Sequence, residues 1–255
     1  MNPNLCIKND ASYHDMYYMN PPAKDLSKIA SSDKVKKVQK DFEATHVRPQ
    51  RLMKTLFTDE AYVKANVDEA RLMRRLFDLA CNMQSHDTDM QLYSLFTDEE
   101  CYDLWSCNNL YWYLTHACSP VTDGLMPYRE ADLLRNILDR ADAALKEGKN
   151  QATLRFGHES CLLPLVALLE LNHYGESYPD VEKLSEQWRA YDIFPMASNV
   201  QFVFFHKKGS NDVLVILLLN EKEAKLPVKT DVAPYYHWKD VESYYREKLD
   251  KYQHI

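Results

Sequence analysis

His158 and Glu159 set an imidazole directly beside a carboxylate, the side chains around which any chemistry of this chain would turn. They stand between two segments of opposite habit. Residues 152–156 read as a short buried strand, and residues 162–171 are apolar on every side, the pattern of a helix enclosed between layers. Pro164 requires the helix to begin close by, near Ser160, so that its missing N–H falls in or near the first turn. The His-Glu pair is therefore expected in the strand-to-helix turn. There the first backbone N–H groups lack internal partners and the helix dipole is positive, which favours an anion. Glu159 either uses that field or competes with a bound anion for it. The alternative is a capping turn in which both side chains merely satisfy backbone groups.

The elements that must hold this turn divide the chain in two. Residues 1–149 read as mainly helical and 150–255 as α/β. Residues 1–22 are irregular and aromatic, ending at Pro21-Pro22, and residues 4–20 resemble the middle of a domain more than a natural beginning. Ser32 or Asp33 caps a lysine-rich helix with Val35, Val38 and Phe42 on one face. Leu52, Leu56 and Phe57 mark a helix after Pro49. Asp68 opens another, in which Leu72, Leu76, Leu79 and Met83 keep helical spacing. Thr97 to Glu100 is a capping box, and it starts a helix whose stripe of Tyr102, Trp105, Tyr111, Trp112 and Tyr113 reads as core. An amphipathic helix from about Tyr128 stops at Gly148. Further on, 200–206 and 213–219 form a hairpin pattern around Gly209, hydrophobic enough to require cover on both faces. A charged helix closes the chain from about Trp238 to Tyr252.

Composition narrows the chemistry. A net charge of −7 on 255 residues argues against general nucleic-acid binding, which needs a basic surface. Five glycines leave no phosphate-cradling glycine-rich loop and no dinucleotide fingerprint. Six cysteines form no Cys-x-x-Cys pair and read as buried thiols. Cys107, His116 and Cys118 match no zinc module. His86 to Asp89 is too short for a calcium loop and reads as a turn. No apolar run is long enough to span a bilayer, and the first thirty residues show no signal-peptide pattern. Lys34, Lys36, Lys37 and Lys40, like Arg71, Arg74 and Arg75, read as solvated helix faces before any polyphosphate channel. Asn199 and Glu221 read as strand-end residues with turn and edge roles.

Three segments together carry a family resemblance: Leu154-Arg-Phe-Gly-His-Glu-Ser-Cys-Leu-Leu-Pro-Leu165, Pro195-Met-Ala-Ser-Asn-Val-Gln-Phe-Val-Phe204 and Leu217-Leu-Leu-Asn-Glu-Lys222. In this order they resemble the C-terminal portion of the histidine acid phosphatase clan, nearest to its multiple inositol polyphosphate phosphatase (phytase) branch. The resemblance covers about 150–250; over 1–149 it is a compatible helical pattern. It implies an α/β fold, the three-layer α/β/α histidine-phosphatase (phosphoglycerate mutase-like) sheet with a large α-helical insertion. Residues 1–149 would be the insertion region and 150–255 the C-terminal part of the phosphatase domain. It also implies a phosphomonoester hydrolase working through a phosphohistidine, with a phosphorylated small molecule such as an inositol polyphosphate as substrate. His158 would contact the phosphoryl oxygens, and Glu159 would protonate the leaving oxygen and then help to activate water. No metal or organic cofactor is required. Export to a periplasm or the exterior is what the resemblance implies for location.

Two departures from the family pattern matter. The chain contains no Arg-His dipeptide and no glycine after a histidine, so the nucleophile motif of the family's first strand is absent. On this reading the sheet is incomplete on its N-terminal side and the chain resembles the C-terminal part of a longer enzyme. The acid also follows the histidine immediately, where the inositol-phosphatase branch often writes His-Ala-Glu. Neighbouring helical positions point about 100° apart, so Glu159 is in an unusual slot. The rival expectation is a non-catalytic phosphate-binding or interaction protein built on a truncated phosphatase. Its uncovered sheet surface would favour self-association.

Overall fold

The computed structural model describes residues 24–148 and 151–252. The irregular stretch expected over 1–22, with Cys6, lies outside the described residues. Helices α1 (Lys24–Ala30), α2 (Asp33–His46), α3 (Gln50–Leu56), α4 (Glu60–Asn66), α5 (Glu69–Asn82), α6 (Asp98–His116) and α7 (Ala131–Glu147) precede the site. After it come α8 (Glu159–Leu168), the short α9 (Leu184–Gln187) and α10 (Ala190–Ile193), strands β1 (Val200–His206) and β2 (Val213–Leu219), β3 (Lys222–Glu223) and β4 (Tyr236–His237), and α11 (Trp238–Tyr252). A helix-rich region is thus joined to a small antiparallel sheet.

Local chemistry sets most of the boundaries. Ser32 caps α2 by accepting from the Val35 amide, and Asp68 caps α5 by accepting from Arg71. The Thr97 hydroxyl accepts from the Glu100 amide at 3.2 Å while the Glu100 carboxylate accepts from the Thr97 amide at 3.0 Å, so both halves of the capping box form. Gly148 ends α7 in the left-handed conformation, φ 62°. A loop through Gly209 (φ 83°) joins β1 to β2 in full register from Val200 opposite Leu219 to His206 opposite Val213. Asn220 and Glu221, both at positive φ, make the two-residue turn from β2 to β3. Asn220 also accepts from the Asn199 amide and donates to the Ile193 carbonyl, tying the turn to the start of β1.

The main core is continuous. Leu110, Tyr113 and Leu114 of α6, Leu134 and Leu138 of α7, and Leu163 to Leu168 of α8 pack with Val215 and Leu217 of β2 and Val241, Tyr245 and Leu249 of α11. A second cluster, from Val47 and Leu52 to Met73, Phe96 and Leu104, gathers α3, α4 and α5 against the start of α6.

Four expectations are corrected. Residues 152–156 form no strand: no ladder partner for them occurs among the described residues, and Leu154 and Phe156 are exposed. Pro164 lies in the second turn of α8, since the helix already begins at Glu159; only the Ser160 carbonyl loses its helical donor. Both faces of β2 are covered, at Val215 and Leu217 and at Ile216, but β1 is only half-buried, since among the described residues it pairs with β2 alone. The aromatic stripe of α6 is not all core. Tyr113 is enclosed, whereas Tyr102 and Tyr111 are exposed, because a run of adjacent residues sweeps about 100° per position around the helix.

Candidate functional site

His158 is the N-cap of α8, in extended conformation at φ −121° and ψ 165°. Its carbonyl accepts the first helical bonds, from Cys161 at 3.0 Å and Leu162 at 3.1 Å. Its imidazole makes no capping bond. The amides of Glu159 and Ser160 have no acceptor among the described residues, as the first turn of a helix dictates. Both the His158 ring and the Glu159 carboxylate are exposed. The structure therefore brings together, at one helix end, an imidazole, a carboxylate and two outward-facing N–H donors. Such a set can hold an anion on the amides and histidine while the acid carries a proton to or from it.

The support beneath this turn is charged and enclosed. Cys161, one turn into α8, is buried, and burial pushes its thiol up to about 12, with Glu130 and Glu159 adding to the effect. Glu130 ends the 3-10 turn Met126–Glu130 that leads into α7; it is fully enclosed, and neither carboxylate oxygen meets a hydrogen-bond donor among the described residues. Burial, opposed by Arg129 and reinforced by Asp132, pushes its carboxyl up to about 8. Burial in turn holds the Arg129 guanidinium below its ordinary value. His116, at the end of α6, is depressed to about 4 by burial and by Arg129; its Nδ1 lies 2.7 Å from the Thr115 hydroxyl. Sequence reasoning passed over Arg129 and Glu130, and considered His116 only as a metal ligand. An acid at the start of a helix reads as an ordinary dipole partner, and only the packing of the Met126–Glu130 turn shows it to be enclosed.

Arg155 donates from Nη2 to Asn136 Oδ1 of α7 at 2.7 Å. The basic clusters on α2 and α5 meet acids: Lys37 pairs with Asp41, Arg74 with Glu43 at 2.6 Å, and Arg75 with Asp78 at 3.3 Å. Asn199 accepts from Gln201 Nε2 at 2.9 Å, and Glu221 occupies the turn after β2, so both serve local geometry. Among the described residues no group of three or more His, Cys, Asp or Glu side chains is gathered to hold a metal ion. No helix among them is long and apolar enough to cross a membrane.

Comparison with known proteins places the chain in a family. The family model described as histidine phosphatase superfamily (branch 2) matches residues 7–220. Multiple inositol polyphosphate phosphatase 1 of Homo sapiens is 28% identical over 134 residues, 48% of this chain and 27% of that protein. Crystal structures of the Bifidobacterium longum multiple inositol polyphosphate phosphatase share the fold. The complex with phosphate aligns at a TM-score of 0.61 and 19% identity over 94% of this chain and 56% of that one. The complex with inositol hexasulfate aligns at 0.56 and 19% identity over 92% and 54%. The chain thus spans about half the length of these solved relatives.

Proposed function

The chain belongs to the histidine phosphatase superfamily, branch 2, and from that premise we propose that it carries the phosphate-contacting half of a phosphomonoester hydrolase site acting on inositol polyphosphates. The observation that supports this most is the exposed, unpartnered His158 at the N-terminus of α8, beside Glu159 and two unused amides. A histidine kept there for capping would spend its ring on the backbone, and His158 does not.

In this reading the phosphoryl group of the substrate sits on the Glu159 and Ser160 amides. His158 donates to a phosphoryl oxygen as negative charge grows there during transfer to a nucleophilic histidine. Glu159, in its protonated form, delivers a proton to the departing alkoxide of the inositol ring. As a carboxylate it then takes a proton from the water that cleaves the phosphohistidine. Cys161 and the enclosed Arg129–Glu130 pair set the height of the first turn from below. Residues 1–149 serve as the insertion region and 150–255 as the C-terminal part of the phosphatase domain.

The 255 residues contain no Arg-His pair, so on this reading turnover requires a nucleophilic histidine from another segment. That same fact supports a second reading, in which this chain binds phosphate esters without turning them over. Hydrolysis of an aryl phosphate and of phytate, measured beside phosphate binding by phosphorus NMR, separates the two. The proposal expects binding that His158→Ala abolishes, and turnover only when an Arg-His-Gly segment is supplied. Binding unchanged by His158→Ala would remove the basis of both readings.

A further inference from the structure

The far end of α8 opens on a cleft of about 550 Å³ in which the phosphate site has no part. One helix of ten residues separates the two, about 15 Å at 1.5 Å per residue. Ala167 and Leu168 supply an apolar wall, and the polar groups come from several elements. Lys248 reaches in from α11 with its side chain only 17% exposed. Its Nζ donates to the Leu168 carbonyl at 2.7 Å and pairs with Glu170 Oε1 at 3.2 Å. The other Glu170 oxygen accepts from the Tyr244 hydroxyl.

Glu170 is held in place by its surroundings. It sits at φ 52°, a conformation a non-glycine residue keeps only when its neighbours enforce it. Gly175 packs so closely that a Cβ there would lie 2.5 Å from Glu170 Cγ. Two of the three Lys248 N–H bonds are used inside the protein, which leaves one donor. Tyr128 also lines the cleft; its hydroxyl has no hydrogen-bond partner among the described residues, and its ring is stacked on Tyr252 with centroids 4.2 Å apart. Asp123 adds an exposed carboxylate acceptor at the rim.

The charges decide what can enter. Asp123 and Glu170 against Lys248 leave an excess of negative charge, and the carbonyl end of α8 adds to it, so an anion is disfavoured. A cation would have to displace the Lys248 ammonium from two partners it already satisfies. We propose that this cleft binds a small neutral polyol, with ligand hydroxyls accepting from Lys248 and Tyr128 and donating to Asp123 against the Ala167–Leu168 wall. The same helix then offers an anion site at its amide end and a neutral hydroxyl site at its carbonyl end.

Titration of the full chain with glucose and sorbitol, followed by saturation-transfer NMR and calorimetry, tests this, with inorganic phosphate and tetramethylammonium as charged probes. Saturable polyol binding at millimolar affinity is expected. Asp123→Asn, which keeps a residue tolerant of the left-handed backbone, should weaken it about five-fold, because a neutral amide oxygen accepts the ligand hydroxyl in place of a charged carboxylate. Ser177→Tyr, placing a ring in the cleft, should abolish it. His158→Ala should leave it intact, so failure of the phosphate reading and failure of this one are distinguishable. Absence of saturable polyol binding, tighter binding of either charged probe in this cleft, or equal polyol affinity in Asp123→Asn and Ser177→Tyr chains with native circular dichroism would overturn the proposal.

Discussion

Replacing Glu130 by glutamine isolates the cost of enclosing a carboxyl beneath the first turn of α8. The folded carboxyl titrates at about 8 against 4.5 ordinarily, raised by burial in spite of the pull of Arg129. The folded chain therefore retains this proton where the unfolded chain has released it. The associated stability is complete below pH 4.5 and is lost as pH rises through 8. Each pH unit in the window removes about 1.4 kcal/mol, so from pH 5 to pH 8 the native chain loses about 4 kcal/mol that a glutamine cannot lose. Against a total of roughly 5–15 kcal/mol for a folded domain, that is a large share. His116 acts in the opposite sense: its pKa falls to about 4 by burial and Arg129, so stability is gained as pH rises from 4 to the ordinary 6.5. Comparing native and Glu130→Gln chains at each pH cancels the His116 contribution, of which only about 0.4 kcal/mol still develops between pH 6.5 and 8. Urea unfolding followed by circular dichroism at pH 5, 6.5 and 8 gives the difference directly. The Glu130→Gln chain should gain about 4 kcal/mol on the native chain between the ends, about half of it above pH 6.5. Two stability curves that stay parallel across the range would refute the argument that Glu130 is enclosed without compensating donors.

Other substitutions test the scaffold. Thr97→Ala removes one half of the capping box of α6 and should cost about 1 kcal/mol in urea unfolding. Asn109→Ala should cost about 2–4 kcal/mol, because the buried Asn109 side chain both donates to the Trp188 carbonyl at 3.0 Å and accepts from the Ala190 amide at 2.8 Å. Arg246→Met breaks contacts to Asp139, Asp142 and Glu242 on a part-exposed surface. It should cost about 1 kcal/mol or less and do so less at high salt, measured as a thermal midpoint with and without added sodium chloride. His158→Ala, at an exposed and unpartnered position, should shift the same midpoint by the equivalent of no more than about 0.5 kcal/mol.

The sequence made some of this legible because local chemistry decided it. Ser32, Asp68, Thr97 and Gly148 mark their helix ends through a hydroxyl, a carboxylate, a reciprocal pair and a left-handed backbone, each of which acts within a few residues. The hairpin of β1 and β2 and the span of α11 were equally local. The placement of His158 at the mouth of α8 followed from the change of pattern around Gly157. What the sequence could not disclose depends on partners far along the chain. A strand over 152–156 needs a neighbouring strand to bond with, and apolar residues such as Phe156 look buried until that partner is sought. The aromatic stripe of α6 was read as one face, although adjacent rings point in different directions. Glu130 carries no signal in the sequence, since nothing local says that α8 will cover it.

The two hydrophobic clusters have a consequence for how the molecule comes apart. The cluster of α3, α4 and α5 touches the rest chiefly through the start of α6, whereas the main core binds α2, α6, α7, α8, the sheet and α11 into one body. Cooperative units follow such boundaries, so their opening energies differ. Amide hydrogens of α3 to α5 should exchange through a sub-global opening that leaves α8 in place, while the hydrogen-bonded amides of α7, α8 and β2 should exchange together, only on complete unfolding. The turn that holds His158 is then among the last parts of the chain to be released, and ligand bound there would protect the whole main core at once.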